Sequence, residues 1–440
     1  MQGLVLTAGG ARGAYQAGVL KRLGEIRALR DRPSPFAIVA GASAGAINGA
    51  VLAGRGRRFG EATRELARVW SQLAVEQVIR TDLLSLARGA GVLARDFVLG
   101  GLGGATASRS LFDASPLHAL LRDVFPRRGI AEAIRRGEVY AVAITATSYH
   151  SGRSFTFVQG RPGHPIWIKS RRVVLPVTLT AEHVAASSAI PIVFPPVRVR
   201  TGARAGEGGD LWFGDGGLRL VNPFSPAIRL GASRIFAVGI RSSHAAEALS
   251  RAELGAAEEA GVPEEPGDAI PCPPLAQICG VFMNAIFLDH LDADLDHLRR
   301  MNELIRAYGA HEERARRTDG VAPSEPMRRV EPLVVSPSED LALVAERFAH
   351  RMPRLVRFLL DGLGTPDAQS ADLMSYLLFD AHYTRTLVEI GYRDAAARVD
   401  EIEAFLRGAP AEAPAPRVRR PLHAPLAPSS PSIGLSAGTA

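Results

Sequence analysis

The first 54 residues contain two successive units in which an apolar run passes through a glycine-rich turn into a helix. The first unit starts with Gly3 to Ala8 and continues, after two glycines, into helical spacing of apolar residues over Gly13 to Leu29. The second starts with the continuous apolar run Phe36 to Ala40 and turns through residues 41–45 into a helix of small residues. A short, continuous apolar run is typical of a parallel strand that is buried on both faces. The succession predicts an α/β fold with a mostly parallel central sheet.

The remainder of the chain falls into regions of different composition. The pattern predicts helices over Glu61 to Ile79 and Pro116 to Phe125, strands at Val139–Thr147, Ser154–Val158, Val173–Leu179 and Arg234–Ile240, and helices over Phe282 to Ile305, Asp340 to Leu360 and Ala371 to Ile390. We expect an α/β domain over 1–240, an acidic surface insertion or linker with Pro and Gly over 241–275, a helical extension over 276–407, and a disordered Ala/Pro-rich tail over 408–440.

Cysteine content and hydropathy exclude a secreted, disulfide-rich protein and a transmembrane protein. The 440 residues include only Cys272 and Cys279, which are too few for a disulfide framework and whose C-x6-C spacing does not fit a zinc site. No apolar run approaches the roughly 18 residues that a membrane-spanning helix needs, and no basic segment precedes the first apolar run. We therefore expect a cytoplasmic protein, with neither metal nor cofactor, whose contact with membranes is peripheral.

Positive charge is concentrated in the first half of the chain. The net charge is +7, and residues 55–172 carry 19 basic and 9 acidic side chains. A basic face favours anionic lipid head groups or nucleic acid, although a solvated basic surface is the simpler interpretation. Aromatic residues make up 6% of the chain and are not interleaved with basic ones as in proteins that stack bases. We expect no nucleic-acid partner.

Gly41-Ala42-Ser43-Ala44-Gly45 fits the pattern G-x-S-x-G between a buried strand and a helix. In this context a sharp turn exposes the hydroxyl of Ser43 in strained backbone geometry, and the flanking glycines leave room for the turn and for an ester. The following helix directs its free N–H groups toward a developing oxyanion. The alternative is a close-packed glycine turn without chemistry.

A second glycine-rich turn, Gly9-Gly10-Ala11-Arg12-Gly13, also lies where a strand gives way to a helix. Successive N–H groups at such a position form a nest for an anion, which beside Ser43 would be the oxyanion of an acyl-transfer intermediate. A dinucleotide-binding turn is the competing interpretation. It is disfavoured because the first glycine of G-x-G-x-x-G is missing and no acid clearly ends the second strand.

The third element is Gly214-Asp215-Gly216-Gly217, which follows a short apolar run. An acid between glycines is commonly a turn residue. A partly buried aspartate near a serine hydroxyl can instead act as its base, because burial raises the pKa of the carboxyl toward neutrality.

Together these three elements resemble the patatin-like phospholipase family, in the family's order and spacing. The run from Ala185 to Pro196 before the D-G-G motif and the pair Asn222-Pro223 after it are also similar to the family's. The resemblance covers about residues 3–240 and implies a three-layer α/β fold. It extends no function to the helical region that follows.

The resemblance implies a serine–aspartate dyad, with Ser43 as the nucleophile and Asp215 as its base. The loop of Gly9, Gly10, Ala11, Arg12 and Gly13, with Ala44, would form the oxyanion hole; the glycines Gly41, Gly45, Gly216 and Gly217 would shape the turns. The implied reaction is hydrolysis of fatty-acyl esters of phospholipids or lysophospholipids through an acyl-enzyme. A protein or small-ligand activator is compatible with these motifs.

Two rival functions remain open at this stage. The first is an esterase or acyltransferase that acts on a soluble acyl ester or thioester. The second is a non-catalytic lipid-binding protein, which would have no need for the serine, the aspartate and the glycine nest together.

Other candidate residues have simpler interpretations. His183 or His244 would be needed for a triad, and His244 lies in a polar stretch where a surface histidine is expected. His290, Asp294 and His297 share a helical face and invite a metal interpretation, but the pattern is simpler as an amphipathic helix with a charged solvent side.

The Leu- and Gly-rich stretch from Leu83 to Ala107 is the remaining feature of interest. It is poor in charge and lies between the elbow and the D-G-G motif. It predicts either a mobile lid or membrane-contacting surface, with Leu99 and Leu102 as contacts, or a helix pair packed in the core.

Overall fold

The computed structural model describes residues 1–80, 110–169, 171–201, 209–242, 290–319, 328–353, 357 and 371–408. Its strands are β1 (Gln2–Leu6), β2 (Ile38–Ala42), β3 (Ala141–Ser148), β4 (Ser154–Gly160), β5 (Ile168–Lys169), β6 (Arg172–Pro176), β7 (Val197–Arg200), β8 (Asp210–Gly214), β9 (Arg234–Val238) and β10 (Glu331–Val335). Its helices are α1 (Gly13–Gly24), α2 (Ala44–Arg55), α3 (Phe59–Ser71), α4 (Ser115–Val124), α5 (Gly129–Arg136), α6 (Ala181–Ser187), α7 (Ser225–Leu230), α8 (His290–Asp319), α9 (Leu341–Glu346), α10 (Ala371–Leu377), α11 (Ala381–Ala397) and α12 (Val399–Arg407).

The strands form one sheet in the order β10-β9-β1-β2-β3-β4-β6-β5, and β8 pairs with the end of β3 and with β7. The strands from β10 to β3 are mutually parallel, as predicted from the two strand–turn–helix units. β4 and β8 run antiparallel to β3. The carboxyl ends of β1 and β2 therefore meet the end of β8 at one edge of the sheet, where the glycine-rich motifs lie.

Successive residues of β1 point to opposite faces, as the period of a strand requires. Leu4 and Leu6 pack in one apolar cluster with the helices α1, α2 and α3. Val5 packs in a second cluster on the other face, with Phe224 before α7 and Leu291 of α8. Helices thus cover both faces, which gives the expected three-layer α/β fold.

Several predicted helices are shorter than expected. The helix predicted to Leu29 ends at Gly24, and the one predicted over 61–79 ends at Ser71 and is followed by a 3-10 turn. The helix predicted over 371–390 is two helices, because the side chain of Asp380 accepts the N–H of His382 (2.9 Å) and caps a new helix there. The segment predicted over 340–360 is helical over Leu341–Glu346, with a 3-10 turn at Ala349–Arg351 before Pro353. In the rest of that segment Arg357 is helical, and 354–356 and 358–360 lie outside the described residues.

The strand β10 was not predicted by the sequence analysis. Glu331–Val335 lies within the region expected to be helical and extends the sheet by pairing in parallel with β9. Five residues that include Pro332 give a weak strand signal, and their pairing partner lies far away in the chain. The proposed division of the chain at residue 240 stays a prediction.

The C-terminal helix α11 packs directly against α1 through glycines on both sides. A Cβ at Gly18 would lie 2.1 Å from the carbonyl oxygen of Val388, and one at Gly391 would lie 2.2 Å from that of Tyr15. The Tyr15 hydroxyl also donates to Asp394 (3.0 Å). Backbones this close leave no room for a side chain, so both glycines are needed for the contact.

Within the described residues, no helix combines the length and the apolar character that crossing a membrane requires. The stretch 83–107, with Leu99 and Leu102, for which the sequence predicts either a lid or membrane-contacting surface or a packed helix pair, lies outside the described residues. So do Cys272, Cys279 and the tail beyond residue 408.

Candidate active site

Ser43 lies at a sharp turn between β2 and α2. Its φ of 53° and ψ of −126° are a conformation that side chains rarely adopt. A Cβ at Gly41 would lie 2.3 Å from the carbonyl oxygen of Gly45, and one at Gly45 would lie 2.1 Å from that of Leu6. The two glycines of G-x-S-x-G are therefore required by the closeness of the backbone, and the turn holds Ser43 in a strained conformation.

Ser187, at the end of α6, fixes the backbone of this turn. The N–H of Ser43 donates to Ser187 Oγ (2.9 Å), and the Ser187 hydroxyl donates in turn to the carbonyl oxygen of Thr145 in β3 (2.6 Å). Ser187 is completely buried. The sequence analysis noted the run that contains Ser187 but assigned no role to this residue.

Asp215 directly follows β8, and hydrogen bonds of its backbone N–H and carbonyl groups fix its position. Its N–H donates to the carbonyl oxygen of Ala189 (2.8 Å), and its carbonyl oxygen accepts the hydroxyl of Thr147 (2.8 Å). The carboxylate oxygen Oδ1 accepts the N–H of Gly217 (2.7 Å). A Cβ at Gly216 would lie 2.0 Å from the carbonyl oxygen of Thr145. The D-G-G motif thus positions one carboxyl group against the sheet.

The carboxyl of Asp215 is fully buried, and burial raises its pKa to about 7 against smaller lowering effects of the Ser43 hydroxyl and the Gly217 N–H. Oδ2 has no hydrogen-bond partner of standard length and angle among the described residues. The Ser43 hydroxyl is therefore close enough to influence the carboxyl without a well-formed hydrogen bond. Catalytic hydrogen bonds in unliganded enzymes are often long and shorten when substrate binds.

The glycine-rich loop lies against the elbow. A Cβ at Gly13 would lie 2.5 Å from the Cβ of Ala44, which leaves the loop and the start of α2 in direct contact. The carbonyl oxygen of Gly13 accepts the side-chain amide of Asn48 (3.0 Å), so α2 also holds the loop. This contact brings together the two motifs that the sequence analysis combined in one oxyanion hole.

The N–H groups of the loop are not equivalent. The N–H of Arg12 donates to the carbonyl oxygen of Gly9 (3.0 Å) and closes a 3-10 turn. Within the described residues, the N–H groups of Gly10, Ala11 and Ala44 have no acceptor. Ala11 and Ala44 are buried and Gly10 is half-buried, and free N–H groups at the start of a helix can bind an anion. The N–H of Gly13 is likewise taken up within the turn, by the carbonyl oxygen of Gly10, so Arg12 and Gly13 are weaker candidates for oxyanion donors than Gly10 and Ala11.

The side chain of Arg12 is held by α10 of the C-terminal region. Its Nε donates to Ser375 Oγ (2.8 Å), its Nη2 donates to Asp372 Oδ1 (2.9 Å), and its guanidinium stacks on the ring of Tyr376 at 4.5 Å. A Cβ at Gly10 would lie 2.4 Å from the carbonyl oxygen of Tyr376. These residues were missed by the sequence analysis, because no local pattern links them to the loop.

Tyr149, directly after β3, is a further residue near the site that the sequence did not indicate. A Cβ at Gly214 would lie 2.2 Å from its hydroxyl oxygen, and burial together with the charge of Asp215 raises the pKa of Tyr149. Its side chain is nevertheless 45% exposed. Tyr149 therefore lies between Asp215 and the solvent.

His183 has a structural role at the start of α6. Its Nδ1 accepts the N–H of Thr180 (3.2 Å), and its ring meets the edge of Phe157 at 4.7 Å. Burial lowers the pKa of His183 to about 4, so the ring is neutral near pH 7. No hydrogen bond in the described part of the chain joins it to Ser43 or Asp215. His244 lies outside the described residues.

Asp294 was expected on the solvent side of a helix, but the structure places it elsewhere. It is buried, and its carboxylate accepts the side-chain amide of Asn222 (3.0 Å) and the N–H of Phe224 (2.9 Å). The opposite, apolar face of this helix is buried, as the amphipathic pattern predicts; it consists of Leu291, Leu295 and Leu298. Among the described residues, no group of three or more His, Cys, Asp or Glu side chains is placed to hold a metal ion.

Comparisons with known structures give distant similarities. The chain is similar to VipD from Legionella pneumophila (12% identity, 87% of this chain, 91% of that one, TM-score 0.25). It is also similar to human GIVD cytosolic phospholipase A2, solved with methyl gamma-linolenyl fluorophosphonate (14% identity, 92% of this chain, TM-score 0.40), of which it covers 58%. The similarity to ExoU in its complex with SpcU from Pseudomonas aeruginosa is 21% identity over 44% of this chain and 37% of that one, with a TM-score of 0.23.

No curated protein sequence matches the chain. A family model, however, matches residues 4–228, which is more than half of the 440 residues and includes the glycine-rich loop, the elbow and the D-G-G motif. The chain therefore belongs to the patatin-like phospholipase family, and its expected chemistry is that of a lipid-ester hydrolase.

Proposed function

We propose that the protein hydrolyses fatty-acyl esters of phospholipids or lysophospholipids, with Ser43 as nucleophile and Asp215 as general base. The observation that carries this proposal is the pairing of a strained serine with a fully buried carboxyl whose pKa burial raises to about 7. A base with a pKa near the working pH is ionised in a large fraction of molecules and still accepts a proton readily. A turn residue exposed to water would show neither property.

In the first half-reaction, Ser43 Oγ attacks the ester carbonyl carbon and its proton passes to Asp215 Oδ2, the carboxylate oxygen without a partner among the described residues. The carbonyl oxygen becomes an oxyanion that accepts the N–H groups of Gly10, Ala11 and Ala44. Collapse of the intermediate breaks the bond to the leaving alcohol, which takes the proton from Asp215. An acyl-enzyme and a lysolipid or free glycerophospho-alcohol result.

In the second half-reaction, water attacks the acyl-enzyme and gives its proton to Asp215. The same three N–H groups stabilise the second oxyanion, and collapse releases the fatty acid while the proton returns to Ser43 Oγ. Removal of one oxyanion donor typically slows such reactions about 10²–10³-fold, so the loop contributes much of the rate.

The test compares the parent protein with Ser43→Ala and Asp215→Asn on mixed-phospholipid vesicles in the presence of a chelator. Mass spectrometry follows free fatty acid and lysolipid. Fatty acid from the parent alone supports the proposal and identifies the lipid class. Equal background from all three proteins contradicts it. Hydrolysis of short-chain soluble esters without hydrolysis of vesicles would instead favour the soluble-ester alternative.

A further inference from the structure

The active site lies at the end of the sheet where β3 ends and β4 begins. This end, called here the active-site edge, extends well beyond Ser43 and Asp215. The strand register places Gly214 opposite Thr147, Thr147 opposite Ser154, and Ser154 opposite Arg172, which in turn pairs with Lys169. With neighbouring strands about 4.8 Å apart, this row reaches roughly 19 Å from the D-G-G motif. The turns between β3 and β4 and between β5 and β6 therefore lie on the same side of the molecule as the active site.

Three large apolar side chains at this edge are exposed. Ile168 is 73% exposed, Val221 is 52% exposed, and Tyr149 projects beside Gly214. Val221 adjoins Asn222, whose side-chain oxygen accepts a hydrogen bond from Arg172, so it lies next to the turn between β5 and β6. Exposed apolar side chains that cluster around one site mark an interaction surface rather than scattered surface variation.

The exposed charges in the segments that carry these apolar residues have one sign, while the nearby Asp294 is buried against Asn222. Arg153, Arg171 and Arg219 are exposed, and the Arg219 guanidinium lies 3.6 Å from the position of a Cβ at Gly152 in the turn between β3 and β4. None of the three has an ion-pair partner in the part of the chain that the structure describes. The segments 149–153, 166–172 and 217–222 contain neither Asp nor Glu. The edge is therefore complementary to a negatively charged, partly apolar partner.

We propose that this edge docks on a membrane surface that contains anionic lipid. The docking rim consists of the apolar residues Tyr149, Ile168 and Val221 and the arginines Arg153, Arg171 and Arg219. The apolar side chains enter the interface, and the guanidinium groups contact headgroup phosphates. The inference rests on the proposed function, since the rim lies on the same side of the molecule as the active site and would bring Ser43 to its lipid substrate.

The test measures co-sedimentation with vesicles of phosphatidylcholine, with and without phosphatidylglycerol, on a Ser43→Ala background that leaves the lipid intact. The combined change Ile168→Asp and Val221→Asp should lower the partition coefficient about tenfold or more, because two buried apolar contacts become charged. Each of Arg153→Gln, Arg171→Gln and Arg219→Gln should lower it about fivefold on vesicles with phosphatidylglycerol, and little on phosphatidylcholine alone.

Two residues at the other end of the strands, away from the docking rim, serve as matched controls. Leu304 is 47% exposed on α8, near Asn302, which pairs with Val330 at the start of β10. Arg57 is exposed just after α2, at the end away from Ser43. Leu304→Asp and Arg57→Gln should bind vesicles as the parent does. Equal losses from rim and control variants, or no binding by the parent, would overturn the proposal.

A separate readout distinguishes this proposal from the proposed function. Hydrolysis of a short-chain soluble ester by the protein with intact Ser43 tests the chemistry without a membrane. Failure to hydrolyse both the soluble ester and the vesicle lipid, together with rim-dependent binding to vesicles, would contradict the esterase and support the docking surface. The reverse result would support the esterase and contradict the docking surface.

Discussion

Arg12 Nε donates a 2.8 Å hydrogen bond to Ser375 Oγ, 363 residues further along the chain. Arg12 belongs to the glycine-rich loop beside Ser43, and Ser375 belongs to α10 in the C-terminal region. Asp372 and Tyr376 of the same helix hold the other faces of the guanidinium. The C-terminal region therefore packs directly against the loop that carries the expected oxyanion donors.

Loss of this contact should slow the chemical step. Asp372→Asn removes the carboxylate that balances a buried guanidinium, so the loop should shift and misplace the N–H groups of Gly10 and Ala11. We expect kcat on a soluble ester to fall about 10–100-fold with KM changed little, and Ser375→Ala to have a smaller effect in the same direction. The control Glu61→Gln removes an exposed partner of Arg58 (2.9 Å) and should leave kcat unchanged. Full activity of Asp372→Asn would contradict the positioning role.

The backbone of the elbow should depend on Ser187. Ser187→Ala leaves the N–H of Ser43 and the carbonyl oxygen of Thr145 buried without this partner, which typically costs about 1–3 kcal/mol in the free energy of unfolding. We expect a lower thermal midpoint and a lower kcat. The neighbouring Ser188 is the matched control, because its hydroxyl is buried without a hydrogen bond among the described residues. If Ser188→Ala were as damaging as Ser187→Ala, the hydrogen bond would not be the cause.

The ionisation of Asp215 should appear in the pH dependence of hydrolysis. Burial raises the pKa of this carboxyl to about 7, and only the ionised form accepts the proton of Ser43. We therefore expect kcat/KM for a soluble ester to rise about tenfold per pH unit below neutrality and to level off above about pH 7. A profile that is already flat between pH 5 and pH 8, at about constant kcat/KM, would exclude Asp215 as the titrating base.

The contact between α1 and α11 should be sensitive to a single methyl group. At Gly391 a Cβ would lie 2.2 Å from the carbonyl oxygen of Tyr15, so Gly391→Ala forces the two helices apart. We expect a loss of about 1–3 kcal/mol in the free energy of unfolding, measured by denaturant titration. Gly209→Ala is the control, since nothing lies within 4 Å of its Cβ position. An unchanged midpoint for Gly391→Ala would mean that the helices do not pack as described.

Local sequence patterns predicted the parts of the site that depend on local geometry. G-x-S-x-G, the loop of residues 9–13 and D-G-G each place glycine where a Cβ would collide with nearby backbone, as at Gly41, Gly45 and Gly216. A strand followed by such a turn and a helix is readable within about 15 residues. The parallel order of β1, β2 and β3 followed from the same units.

Contacts between distant parts of the chain could not be predicted in this way. Nothing local to Asp372 or Tyr376 indicates that Arg12 is their partner, and the five residues of β10 depend on β9 for their pairing. The burial of Asp294 also depends on residues that are distant in the chain. Helical periodicity placed it on a polar face, but Asn222 and the N–H of Phe224 make its burial favourable.

The most direct test of the central claim labels the protein with a fluorophosphonate, which forms a stable adduct with an activated serine. We expect one adduct per chain, mapped by peptide mass spectrometry to Ser43. Its rate of formation should rise with pH toward about pH 7 and fall at least about 100-fold in Asp215→Asn. An adduct at another serine, or labelling of Asp215→Asn at the parental rate, would contradict the assignment of Ser43 and Asp215.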